Sequence, residues 1–574
     1  MRAATAAMLV VAAMGVGVGA AQWKPDRAAS AAACGDPLPD EEVASLQLPP
    51  VTREMRAAWV SPVEGGEWPS RSDMSPDAQR AELLAVLDRA VALGLNAVVL
   101  HVRVAADAMY PTRRAPWSSY LTRARGEAAS PGYDPLAFAV AEAHRRGLQL
   151  HAWFNPFRAA PPDGDYRPGA TFLRREHPRW IVRYGSQTWI DPGYPDARRN
   201  VLDAILEVVD RYDIDAVHLD DYFYPYQETE TIRHRVGRGK RRHTVVTHRT
   251  IEFPDATSWA RYGRDKYDTR GAFRRANVSD FIASLYRGVK ERKPWVLVGI
   301  SPFGIWRPGN PPGLSGLDAY TEIFADSRQW LREGWLDYLA PQLYWQLDGE
   351  ERRFTRLDAW WRGENVAGRH IWPGLFTMRV ESRGSPWPAA EIPAEIAWLR
   401  QARAGTPESL GHFHFRLAAM APDGPLGQRL RDTYAEPALP PASPWLGAAA
   451  PSAPVLAGCA SDAAAEPPEP APASGLRVTK DAAAPRSRGE MAPTPRTLVA
   501  GPAVRVHADT GAAPVRWWVL QLRDAAGRWS TTTLPGDLTL LPVLLPNGER
   551  ARAAAVVPVS PTGVTGRPAV VRVE

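Results

Sequence analysis

The chain has 574 residues, 45% hydrophobic and 23% charged, an ordinary globular composition long enough for more than one domain. Its formal net charge is +6, and much of the excess lies in one acid-free run at residues 233–249, RHRVGRGKRRHTVVTHR. No groove-reading element accompanies that run, which argues against nucleic acid as a partner; it predicts a solvated loop or a contact with anionic envelope polymer.

In chain order, MRAATAAMLVVAAMGVGVGAAQ comes first. Arg2 supplies a positive start, residues 6–18 an apolar stretch, and Gly19 and Ala21 small residues for cleavage near Ala21. This is the pattern of a secretory signal over 1–21. The stretch is too short and too rich in Gly and Ala for a membrane span, and no other transmembrane candidate follows. The expected location is therefore outside the cytoplasm, in the periplasm or cell envelope or secreted. Residues 22–51 read as an extended lead-in. The two cysteines, Cys34 and Cys459, flank the main domain, and in an exported protein they invite a disulfide between its ends. Lipidation fits less well: Cys34 follows three alanines, and the LAGC string at Cys459 lies deep inside the chain.

Residues 52–435 alternate apolar strands with amphipathic helical stretches. Eight strands are expected: RAAWVSP, NAVVLHVR, LQLHAWFNP, DAVHLDD, WVLVGISPF, LDYLAPQLYW, HIWPGLF and GHFHFR. Eight such units predict an α/β fold of the (β/α)8 TIM barrel type with long loops. Most of the strands finish in polar or aromatic residues, as barrel strands do where they build a site. No glycine-rich phosphate loop follows any of them, so no nucleotide cofactor is expected. Residues 436–474 are an Ala/Pro-rich linker, and 475–574 hold short strands that predict a β-sandwich. Within it, ARAAAVVPVSPTGVTGRPAVVRV resembles the last two strands of a fibronectin type III domain.

The run DIDAVHLDDYFYPY concentrates the chemistry. It ends a buried strand in two adjacent carboxylates, Asp220 and Asp221, followed by tyrosines. Alternation puts His218 and Asp220 on the barrel's inner face, with Asp221 where the strand breaks into its loop. Acids with aromatic platforms suit glycoside hydrolysis, where one carboxyl donates a proton and a second works opposite it. Asp220 and Asp221 are the expected catalytic pair. Asp326 and Asp191 are remote alternatives for the second acid, and Asp107 and Glu64 further ones. Asp337, at the start of its strand, reads as structural. Arg56, Arg103, Arg158 and Arg416 are expected either to hold a sugar carboxylate or to orient an acid. Trp59, Trp153, Tyr222, Tyr224, Tyr344 and Trp345 are candidate sugar platforms or core rings. Asn155, Ser301 and Gln342 are candidate polar contacts. His101, His218 and His414 are candidate substrate contacts too; with His151 they lie on different strands without ligand spacing, so no metal is expected.

These residues stand in segments that resemble one family, the bacterial glycosyl hydrolase-like family 10. The likeness runs from about Arg53 to Tyr434 through REMRAAWVSP, DAMYPTRRAPWSSYL, YDPLAFAVAEAHRRGLQLHAWFNPFR, WIDPGYPDARRNVLDAILEVVDRYDIDAVHLDDYFYP, KPWVLVGISPFGIWRP and WLDYLAPQLYWQ. The resemblance implies a TIM barrel of the cell envelope that cuts peptide-stripped peptidoglycan glycan strands. The alternative function is non-catalytic glycan binding in the same groove. The chain departs from the family in its basic insertion after the Asp220 strand. A looser likeness to chitinase-type barrels, D-G-x-D-x-D-x-E laid on Asp215, puts Tyr222 where those enzymes carry their acidic Glu. That departure argues against their mechanism.

Overall fold

A computed structural model of the chain describes residues 34–63, 66–122, 130–160, 168–236, 243–349, 351, 353–380, 386–404, 410–460, 502–509 and 513–573. The signal segment, Glu64 and residues 461–474 of the predicted linker lie outside these residues. All eight expected strand stretches contribute to one parallel sheet of nine strands. They are β1 (Met55–Val60), β2 (Ala97–Arg103), β3 (Gln149–Phe154), β4 (Ala216–Leu219), β5 (Leu297–Ile300), β6 (Tyr338–Leu339), β7 (His370–Ile371), β8 (Gly374–Leu375) and β9 (Gly411–His414). Their order is β7-β6-β5-β4-β3-β2-β1-β9-β8. The two ends, β7 and β8, are separated in sequence by Trp372 and Pro373 alone. Trp372 N–H donates to the Leu339 carbonyl on one side, and Phe413 N–H donates to the Pro373 carbonyl on the other. The sheet therefore curls until its edges meet.

Strand alternation divides the burial. Met55, Ala57, Trp59, Ala97, Val99, Trp153, Ala216, Tyr338, Trp372 and Phe413 pack together inside the curl. Ala58, Val60, Val98, Leu100, Val217 and Leu219, one residue out of phase, pack outward against the helices. Among these helices are Pro76–Ala92, capped by Ser75, Pro195–Arg211, and Arg270–Arg292, capped by Thr269. Both faces are covered, which is why the strands read as nearly continuous apolar runs.

The basic insertion is not the expected loop. Thr229–Val236 and His243–Thr250 pair antiparallel as a two-stranded ribbon. The lead-in and the linker also contribute strands. Cys34–Pro37 pairs with Ala569–Val573 at the edge of a five-stranded sheet, and Val455–Ala460 pairs with Ala503–His507 in a three-stranded one. Trp518, Leu520 and Leu522 face the core shared by these two sheets. Trp517 and Val519 point the other way, onto Leu439. That second face sits against the base of the curled sheet. Arg516 donates to Asp215, at the start of the β4 segment, at 2.6 Å, and also pairs with Asp213. Gly147, with φ of 72°, lies so near this sheet that a Cβ there would meet the Thr533 carbonyl at 3.0 Å. Cys34 is disulfide-bonded, and Cys459 is the chain's other cysteine. Cys34→Ser is expected to lower stability by about 2–4 kcal/mol. Thermal melts with and without reductant check this: reductant should bring the wild type down to the variant and leave the variant unmoved.

Candidate active site

Where the strands end, opposite the base held by Arg516, a cavity of about 380 Å³ opens. Strand ends and the loops that follow them supply its wall: Trp59 and Ser61 from β1, His101 and Val104 from β2, Trp153, Asn155 and Arg158 from β3, and Asp220, Tyr222 and Tyr226 from β4. Phe415 and Arg416 follow β9. Ser186 and Gln187 reach in from a hairpin formed by Ile181–Tyr184 and Gln187–Ile190.

Polar atoms without partners cluster here. His101 Nε2, Trp153 Nε1, Asn155 Oδ1 and Arg158 Nε are buried and have no hydrogen-bond partner among the described residues. Each group is otherwise fixed. The His101 ring stacks on Trp153 at 3.8 Å, and its Nδ1 lies 3.1 Å from Ser61 Oγ. Asn155 Nδ2 donates to the Val104 carbonyl at 3.1 Å. The Arg158 guanidinium lies 4.7 Å from the Tyr222 ring centre. Buried polar groups are normally satisfied, so this wall is shaped to be completed by a polar ligand. Burial, then the nearby Arg158 charge, holds His101 well below its ordinary pKa, leaving it neutral.

Asp220 is partly exposed at the cavity wall, whereas Asp221 is 3% exposed behind it. Asp221 N–H donates to Asp220 Oδ1 at 2.8 Å, and Tyr226 Oη donates to Asp221 Oδ2. Gln342 Nε2 approaches Asp220 Oδ1 at 3.4 Å. Burial, then the Asp221 charge and a hydrogen bond between the two carboxyls, pushes Asp220 well above the usual carboxylate range. The adjacent carboxyls thus differ in their hold on a proton, with Asp220 pushed toward its acid form.

Below the cavity a chain of neutral groups runs into the barrel interior. Trp59 Nε1–H donates to His218 Nε2 at 3.0 Å, so the His218 proton resides on Nδ1 and faces Tyr338 Oη at 2.9 Å. Tyr338 can then donate to His151 Nδ1 at 3.0 Å. Burial lowers the pKa of both histidines, His151 to about 4.

Of the predicted contacts, Trp59, His101, Trp153, Asn155, Arg158, Asp220, Tyr222 and Arg416 line the cavity. Arg416 also pairs with Glu67 at 3.3 Å. Tyr344 stacks on Phe376 at 4.7 Å and stands near the aspartates, whose charge adds to burial in raising its pKa. Ser301 is buried and lends its carbonyl to Gln342 at 3.3 Å. His218 supports the cavity from beneath.

The others lie elsewhere. Arg56, at the start of β1, pairs with Glu54 at 2.7 Å on the base side. Arg103 is buried and donates to the Asp107 carbonyl at 3.2 Å. Tyr224 packs edge-on against Phe253 and Phe324. Trp345 packs on Phe303 at 6.5 Å. His414 shares Tyr434 Oη with His412, at 2.8 Å from its own Nε2. Asp326 caps the helix Ser327–Arg332 and accepts from Trp306 at 3.1 Å. The other alternative acids are tied up locally: Asp191 by Ser258 at 2.6 Å and Asp107 by the Val104 and Ala105 N–H groups. The sequence reading missed Ser61, Ser186, Gln187, Tyr226 and Phe415. Of these, Tyr226 had a signal, since it closes the tyrosine run after Asp221.

Known proteins share this chain's sequence over the same region. Glycosyl hydrolase YngK of Bacillus subtilis is 37% identical over 418 residues, covering 70% of this chain and 76% of that protein. Glycosyl hydrolase DigH of Escherichia coli is 33% identical over 340 residues, covering 54% of this chain and 72% of that protein. More remotely, the PgaB (BpsB) glycoside hydrolase domain from Bordetella bronchiseptica is 16% identical with a TM-score of 0.42, covering 66% of this chain and 99% of that one. The family model of glycosyl hydrolase-like 10 matches residues 54–387, a span that includes the nine-strand sheet up to β8 and both aspartates, and the chain belongs to that family.

Proposed function

We propose that this protein is a glycosidase of the cell envelope, exported by its N-terminal signal, that cleaves peptide-stripped peptidoglycan strands. The curled sheet serves as a (β/α)8 barrel, and the C-terminal sheets as a fibronectin type III-like sandwich that braces its base. The observation that carries the reading is Asp220: a carboxyl whose pKa burial and the Asp221 charge raise, at the wall of a cavity lined by buried polar atoms without partners among the described residues. A carboxylic acid whose pKa is raised by burial and a neighbouring charge is suited to protonate a leaving glycosidic oxygen. Trp153 and Tyr222 offer faces to sugar rings. Arg158 offers a cation suited to the lactyl carboxylate of N-acetylmuramic acid.

Digestion of purified peptide-stripped strands, read by mass spectrometry, tests the proposal and identifies the bond cut. Fragments are expected with the wild type. Strand binding without fragments would instead assign the cavity to glycan binding alone. Tyr226→Phe is expected to slow the digestion about tenfold. The lost hydroxyl donates to Asp221 Oδ2, a hydrogen bond worth about 1–3 kcal/mol that fixes Asp221 behind Asp220. Without it the carboxyl behind Asp220 is less firmly placed. A full rate in this variant would show that Tyr226 has no hold on the pair.

A further inference from the structure

The ribbon is an exposed basic feature. Eight residues per strand carry it about 26 Å at roughly 3.3 Å per residue. Its cross-strand partners fix its faces. Arg233 opposite Val246, Arg235 opposite Thr244 and Thr231 opposite His248 share one face; His234 opposite Val245 and Glu230 opposite Arg249 share the other. Glu230 and Arg249 form an ion pair with each other. Arg233, His234, Arg235 and His248 are all exposed.

Its base is tied to the cavity wall. Glu228 accepts from Ser186 Oγ at 2.8 Å and from Gln187 Nε2 at 3.0 Å, and both residues line the cavity. Tyr184 Oη donates to the Ile251 carbonyl and accepts from Glu228 N–H, each at 3.0 Å, so it grips both ends of the ribbon. A two-stranded ribbon with water on both faces is marginally stable by itself. This one is anchored at the rim of the site and stands out from it carrying Arg233 and Arg235, which form no ion pair among the described residues.

We infer that the ribbon is a docking arm for an acidic glycan strand, whose repeated carboxylates it engages beyond the cavity. The occupant rests on the substrate proposed above; the arm itself does not. Attraction between exposed charges draws a polyanion toward the site and is screened within about 10 Å at 0.1 M salt.

Binding, rather than cleavage, provides the test, so its outcome is independent of whether the strand is cut. The full-length protein and its Arg233→Gln/Arg235→Gln variant are titrated with peptide-stripped strands. The same strands with their carboxyls chemically reduced to alcohols serve as the control. The variant's Kd for native strands should rise about tenfold at low salt and converge on the wild-type value at high salt. Reduced strands should bind both proteins alike, and the Arg233→Lys/Arg235→Lys variant should retain the low-salt affinity. An unchanged Kd at low salt overturns the inference. So does an equal loss toward reduced strands, or a lysine variant as weak as the glutamine one. Vesicles containing phosphatidylglycerol cover the other anionic surface: if the double glutamine substitution weakens vesicle binding and leaves strand binding intact, the ribbon docks on membrane and the inference fails.

Discussion

Asp220→Asn is expected to lower turnover of peptide-stripped strands by about 10²–10⁴-fold, the usual worth of a positioned general acid. The amide keeps the shape and the approach to Gln342, so strand affinity should survive. The pH profile gives a second readout. Burial first, then the Asp221 charge, raises the Asp220 pKa. The acid form is therefore present below that raised value and lost as pH climbs through it, so kcat/KM should fall on the alkaline side. Asp221→Asn removes the neighbouring negative charge, making Asp220 easier to ionise. Its alkaline limb should move to lower pH. An Asp220→Asn enzyme with wild-type turnover removes Asp220 from the chemistry, and an Asp221→Asn limb that moves upward contradicts the assigned coupling.

The second large effect lies at the other end of the barrel. Glu54 is 1% exposed and accepts from Arg56 at 2.7 Å and from Arg400 at 2.7 and 2.9 Å. Glu54→Ala leaves Arg56 buried without its counter-charge. Breaking a buried pair from one side costs about 3–5 kcal/mol, and urea unfolding at neutral pH should show a loss of that size. Burial alone would raise the Glu54 pKa, but the Arg400 hydrogen bond and the Arg56 and Arg400 charges outweigh it and lower it from 4.5. A lowered folded-state pKa means that this stability is complete above the unfolded value, near 4.5, and is lost as pH falls through the folded one. The gap between wild type and variant should therefore narrow on acidification below about pH 4. A gap that is the same at pH 7 and pH 3 would exclude the ionised pair as its source.

What could be read in the sequence followed the reach of local pattern. Period-two alternation along AVHL separates Ala216 and His218 from Val217 and Leu219, and it carries Asp220 to the inner rim without any tertiary knowledge. The same logic misplaced Arg56. An arginine in a barrel strand looks like a substrate contact unless its height along the strand is weighed, and Arg56 stands near the base. Its partner Glu54, two residues earlier and on the same side, was the available clue. His414 was misassigned for a different reason: its partner, Tyr434, comes from a helix end 20 residues later. Ser186 and Gln187 enter the cavity only because a hairpin between β3 and β4 folds over it, which no local period announces. The ribbon had a hairpin pattern, two Thr/Val-containing runs around a Gly-Arg-Gly sequence, that its charge obscured.

The pairing of Cys34–Pro37 with Ala569–Val573 gives the order of assembly a constraint. Cys34 and Val573 are partners across 539 residues of chain. The barrel can close before the C-terminal sheets are made, because its last strand, β9, already pairs with β1. The outer edge of the five-stranded sheet cannot, since one of its strands is made near the start and its mate near the end. Contacts of such separation are the slow ones in folding. Until they form, Ala569–Val573 presents a row of unpaired backbone N–H and C=O groups, the kind of edge that recruits strands from other molecules. Removing residues 34–37 should therefore leave the barrel's cavity intact and turn a monomeric sheet edge into a site of self-association.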